Sequence, residues 1–129
     1  MADTNDERFQ MYADYMQSVG IVSHGTGFNC WEFCYNKKEE DYFWIADLAN
    51  NEGKFDARVY RFKWEETSNG LPVLFEPQNK DGSCWSYHPK TFEQFKKNID
   101  SVITLLNEYT VRMKKYKEKE RLGKMNGDF

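Results

Sequence analysis

The sequence predicts an α+β fold: an N-terminal helix, an antiparallel four- or five-stranded β-meander, and a long C-terminal helix. Three observations predict it. Phe92, Phe95, Ile99, Val102, Leu106, Tyr109, Met113 and Tyr116 recur at alternating steps of three and four, which keeps one apolar stripe on one face of an α-helix. Phe9, Tyr12, Ala13 and Met16 do the same over a shorter stretch near the start. Between them lie five runs rich in aromatic and β-branched residues, separated by segments such as Ser68-Asn69-Gly70 and Lys80-Asp81-Gly82. Asn-Gly and Asp-Gly supply the positive φ of tight turns, so neighbouring runs are expected to pair antiparallel.

The first helix is expected over Asn5–Val19. Thr4 and Glu7 have capping-box spacing, and Asp6 and Glu7 suit the positive end of the helix dipole. Gly20 is a natural stop, after which Ile21-Val22 folds back on the last turn. Ser23-His24-Gly25-Thr26-Gly27 reads as a loop. Its G-x-G follows a helix and precedes a strand, the reverse of a phosphate cradle, so an anion site there is not expected.

The strand runs are Phe28–Tyr35, Tyr42–Ala49, Phe55–Trp64, Leu71–Glu76 and Ser83–His88. Asn36–Asp41 and Asn50-Asn51-Glu52-Gly53 link the first three. Pro72 and Pro77 mark the fourth as an edge strand. Neither side of these strands is cleanly polar: Trp31, Phe33 and Tyr35 oppose Phe28, Cys30, Glu32 and Cys34, and Phe43 and Ile45 oppose Tyr42, Trp44 and Leu48. A one-sided sheet alternates apolar and polar residues. Either a helix covers each face or one face is an aromatic platform. In the third run Arg58, Tyr60, Phe62 and Trp64 oppose Phe55, Ala57, Val59, Arg61 and Lys63.

The last helix is expected over 91–122. Thr91 and Gln94 form a second capping box, Pro89 discourages an earlier start, and Gly123 is a stop. At about 1.5 Å per residue some 30 residues span about 45 Å, against a body roughly 36 Å across. Its far half, Tyr109, Met113 and Tyr116 amid charges, is expected to project and to pair with a second helix, giving a homodimer. Residues 123–129 form a tail, and the 129 residues suit a single domain.

Composition bounds the function. Charged residues are 30% and the formal net charge is −3, which repels no partner class outright. Aromatic residues reach 17%, enough to leave some at the surface for recognition. The start of the chain has no apolar h-region, no apolar run approaches a membrane span, and three cysteines in no disulfide spacing suit reduced thiols; a cytoplasmic protein with no membrane partner is expected.

Cys30-x3-Cys34 and Cys84-x3-His88 resemble metal-ligand pairs, but on strands residues four apart stand about 13 Å apart, too far to share one ion. No metal and no cofactor are expected. There is no nucleophile elbow, P-loop, H-E-x-x-H or paired-carboxylate motif, so no catalytic residue is assigned. An enzyme would need a motif-free site near His24 and His88, with Glu32 and Asp47 as further candidates.

The expected function is a non-catalytic protein-binding module, a profile shared by adaptors, chaperones and inhibitors of host or phage machinery. Tyr109, Met113, Tyr116, Trp31, Trp44, Tyr60, Trp64 and Trp85 are the partner-binding candidates, because these residue types are enriched at interface centres. The alternative is single-stranded nucleic acid or a nucleotide stacked on the aromatic sheet, with Arg58, Arg61 and Lys63 contacting phosphate. A pI near 5.4 weighs against that alternative.

Overall fold

The computed structural model of the chain describes residues 4–25, 30–35, 43–51, 53–83 and 85–125. It is an α+β architecture. Helix α1 spans Thr4–Ser18 and helix α2 spans Phe92–Met125. Between them run β1 (Ile21–Gly25), β2 (Cys30–Tyr35), β3 (Phe43–Asn51), β4 (Lys54–Tyr60), β5 (Lys63–Glu66), β6 (Pro72–Phe75) and β7 (Ser86–Tyr87). An antiparallel five-stranded sheet has the order β1-β2-β3-β4-β7, and β5 and β6 form a separate two-stranded sheet.

The helix ends follow their sequence signals in part. Gly20, at φ 92°, donates to the Gln17 carbonyl and closes α1. At α2 the Gln94 amide donates to Thr91 Oγ1 at 3.1 Å, and the Gln94 side chain reaches back to the Lys90 amide at 2.8 Å, one residue upstream of the expected partner. Gly123 does not stop α2, which runs on to Met125; nothing crowds that glycine, and one glycine costs a helix only about 1 kcal/mol.

Three strand expectations are corrected. Ile21–Gly25 is not a fold-back and loop but edge strand β1, pairing along its whole length with β2. It buries Ile21 and exposes Val22, a period of two that five residues ending in Ser-His-Gly barely display. The run Phe55–Trp64 is not one strand. Val59 is buried, so unbroken alternation would send Arg61 inward and Phe62 to water. The chain leaves the ladder at Arg61–Phe62, Phe62 turns into the core against Phe43, and Lys63 starts the second sheet. Ser83–His88 shrinks to the two residues of β7. The anion reading at Gly25-Thr26-Gly27 rests on residues 26–27, and with Phe28, the Asn36–Asp41 link, Tyr42, Cys84 and residues 126–129 it lies outside the described residues.

A bulge sets the sheet's two faces. Phe33 pairs with Ala46 and Cys34 with Trp44, so Ile45 is an extra residue in β3. Ile45 and Ala46 are both fully buried. The bulge thereby brings Phe43 and Ile45 to the same side as Leu48, which strict alternation would have opposed. Both helices pack on that side. Tyr12 of α1 lies against Phe55 of β4 and Phe95 of α2, with ring centroids 4.8 and 4.5 Å apart, and Tyr109 of α2 meets Phe43 edge-on. The core comprises Tyr12, Met16, Ile21, Phe33, Ile45, Leu48, Val59, Phe95, Ile99, Val102 and Leu106 with smaller neighbours. No described helix covers the opposite face.

Candidate functional site

The face opposite the helices is built by alternation along three strands. Glu32 of β2 pairs with Asp47 of β3, and Asp47 with Arg58 of β4; His24 of β1 occupies the position opposite Glu32. One row of ionisable residues thus crosses four strands. Two residues from Arg58, Tyr60 returns to the same side, and beyond the bulge Trp44 joins it. Glu32, Trp44, Asp47, Tyr60 and Glu76, the last just after β6, line a cleft of about 220 Å³.

Asp47 is the centre of this cleft. It is 8% exposed. Its Oδ2 accepts from Arg58 Nη2 at 2.6 Å and from the Tyr60 hydroxyl at 2.5 Å. Arg58 also donates to the Tyr60 oxygen at 2.9 Å and lies over its ring. Among the described residues nothing donates to Asp47 Oδ1, which is buried. Buried carboxylate oxygens are ordinarily satisfied, so this one is an unmet acceptor on a residue that lines the cleft. Burial, then the bond to Asp47, pushes the Tyr60 phenol well above the usual tyrosine range, against the opposing effect of Arg58. Tyr60 is therefore a neutral donor throughout the physiological range. The Arg58 guanidinium is held more firmly protonated, chiefly by its hydrogen bond to Asp47.

A second cleft lies on the helix side of the sheet edge. Arg61, Phe62, Lys63, Trp85, Tyr87, Ser101, Val102 and Leu105 line about 230 Å³. The Arg61 guanidinium carbon sits 3.3 Å from the Trp85 ring centre and 4.7 Å from that of Tyr87; Lys63 Nζ is 5.1 Å from the Trp85 centre. The Arg61 amide donates to the Trp85 carbonyl, which locks the two segments in register.

The eight aromatic and methionine candidates do not form one surface. Trp44 and Tyr60 share the acidic cleft and Trp85 lies in the basic one. Trp31 is 41% exposed beside Phe9, with ring centroids 5.7 Å apart. Trp64 pairs with Leu74 in the small sheet. Tyr109 is engaged by Phe43, and Met113 and Tyr116 are half-buried, with the Tyr116 hydroxyl donating to Glu120 at 2.7 Å. Of the three cationic candidates, Arg61 and Lys63 converge on Trp85, while Arg58 faces the other way, to Asp47. The sequence offers Glu32 and Asp47 only as candidates for an enzyme site and does not single out Glu76; the i,i+2 spacing of Arg58 and Tyr60 is the signal in the sequence for their face.

The two histidines do not meet. His24 lies in β1 and His88 just past β7, at opposite edges of the sheet, roughly 19 Å apart by strand spacing. His88 is exposed, with Nε2 3.2 Å from Ser86 Oγ. Cys30 and Cys34 both lie on β2, so their separation is the extended one. The Cys34 thiol is buried, and burial, with Glu32 nearby, raises its pKa. Among the described residues no three His, Cys, Asp or Glu side chains converge as a metal site, and no helix is long and apolar enough to cross a membrane. The chain matches no protein-family model, no curated protein and no solved structure.

Proposed function

We propose that this protein is a non-catalytic binding module whose sheet face opposite the helices receives a guanidinium or ammonium group of a partner protein. One observation carries the reading: Glu32 and a half-satisfied Asp47 flank Trp44 and Tyr60 in one cleft. Aromatic faces attract cations through their quadrupole, and the attraction strengthens where water is excluded. Asp47 Oδ1 has lone pairs that an incoming N–H would fill, which recovers the cost of leaving a buried acceptor unmade. Arg58 supplies one positive charge to the cleft, Asp47 answers it, and Glu32 remains for the guest.

The test is a titration of the whole chain with short peptides carrying a single Arg or Lys, followed by the backbone amide resonances of Asp47 and Tyr60. Saturable shifts at low salt are expected, weakened by about tenfold or more in Glu32→Gln and in Trp44→Ala. No shift up to millimolar peptide would sink the reading. Shifts equally strong in both variants would do the same.

A further inference from the structure

We infer that the cleft at Arg61, Lys63, Trp85 and Ser101 is a binding site for a small phosphomonoester. The charge balance is the first ground. Among the described residues ion pairs join Arg58 to Asp47, Lys96 to Glu93 and Arg112 to Glu66; neither Arg61 nor Lys63 meets a carboxylate. Yet both are drawn to one ring, so the two cations can be no farther apart than their two distances to its centre joined end to end. Two like charges gathered at one ring, with no carboxylate paired to either among the described residues, favour an anion of charge two.

The chemistry of the donors is the second ground. A guanidinium drawn to the Trp85 and Tyr87 rings still carries N–H donors that can meet a planar or tetrahedral oxyanion. Lys63 adds a point charge with rotatable donors, and the Ser101 hydroxyl on α2 lines the same cleft. The third ground is shape. Phe62, Val102 and Leu105 make an apolar floor beside these donors. Inorganic phosphate would leave that floor wet, whereas the organic group of an ester covers it. The position of Arg61 is enforced by the backbone, through its amide bond to the Trp85 carbonyl, so the site is largely formed before a ligand arrives. It is separate from the acidic cleft on the other face, and its test is independent of the reading proposed there.

The full chain is titrated by calorimetry with inorganic phosphate, phosphoserine, adenosine monophosphate and, as a monoanion control, methyl sulfate. At least one of the two phosphomonoesters is expected to bind about tenfold or more tightly than inorganic phosphate or methyl sulfate. Its affinity should rise between pH 5 and pH 7.5, as the second phosphate proton leaves near pH 6. Which of the two binds more tightly identifies the source, a nucleotide or a phosphorylated side chain. Lys63→Gln, on the exposed rim, should weaken binding by about tenfold with the circular dichroism unchanged, and Arg61→Lys should weaken it through loss of the fork while retaining charge. Equal binding of phosphate, sulfate and esters would overturn the inference, as would an affinity indifferent to Lys63→Gln or no binding of any probe.

Discussion

Arg58 Nη2 lies 2.6 Å from Asp47 Oδ2, while the other oxygen of the same carboxylate is buried and unbonded. The pair is asymmetric, since Asp47 is nearly covered and Arg58 is half in water. Removing the arginine therefore strands the carboxylate, whereas removing both charges leaves only the neutral Tyr60 hydroxyl without its partners. Arg58→Met is expected to cost roughly 1–3 kcal/mol. Adding Asp47→Leu should cost clearly less than the two single changes summed. Urea denaturation of the four proteins measures this; strictly additive effects would show that the pair is not coupled.

The junction of the two helices and the sheet runs through Phe95, which is fully buried and packs on Tyr12 and Phe92. Phe95→Ala removes a ring from the point where α1, α2 and β4 meet. A loss of about 3–5 kcal/mol is expected, with the cost rising as the site fails to collapse. Thermal unfolding followed by circular dichroism reads the change, and a loss below about 1 kcal/mol would contradict the placement of Phe95 at the centre of the core.

The Tyr15 hydroxyl of α1 donates to Asp100 Oδ1 of α2 at 2.5 Å. Burial first, and that hydrogen bond second, push its pKa from 10.0 up to about 12. A raised phenol pKa means the folded state holds the proton more tightly. Its stabilisation is present in full below pH 10 and is lost as pH climbs from 10 towards 12. Tyr15→Phe should be less stable than the parent by about 1 kcal/mol at pH 8, and the gap should close as pH approaches 12. A gap constant across that window would refute the assignment.

The homodimer expected from the C-terminal stripe rests on a shorter seam than the sequence suggested. Leu106 is core and Tyr109 is turned to Phe43, which leaves Met113 and Tyr116. The described aromatic contacts between α1 and α2 lie at Phe92 and Phe95, near the other end of α2. Met113→Glu with Tyr116→Glu should convert a concentration-dependent dimer to monomer without loss of sheet signal. Light scattering decides it, and a wild type monomeric at high concentration would end the dimer reading.

Helices were legible because their stripes are long and their caps conform: Tyr12, Met16, Phe95 and Ile99 were named by spacing alone and are all buried. The sheet was legible as a class but not in its phase. Two re-phasings, the extra residue Ile45 and the break at Arg61–Phe62, each preserve burial by abandoning alternation, and neither has a Gly or Pro to announce it. The puzzle of a sheet apolar on both sides resolves at those points. Once Ile45 turns inward, the face left over carries Glu32, Asp47 and Arg58 beside Trp44 and Tyr60. Strand β1 was hidden for another reason, since an edge strand of five residues needs its partner β2 to exist at all.

Tyr60 and Arg61 are consecutive, yet one belongs to the acidic cleft and the other to the basic one. A single peptide unit is thus the partition between two chambers of opposite sign. A guest that shifts the backbone at one of these residues shifts the peptide plane that carries the other. The two clefts are filled independently unless a guest moves that plane, and in that case whatever a cation on one side does to the affinity of an anion on the other, the anion must return in equal measure.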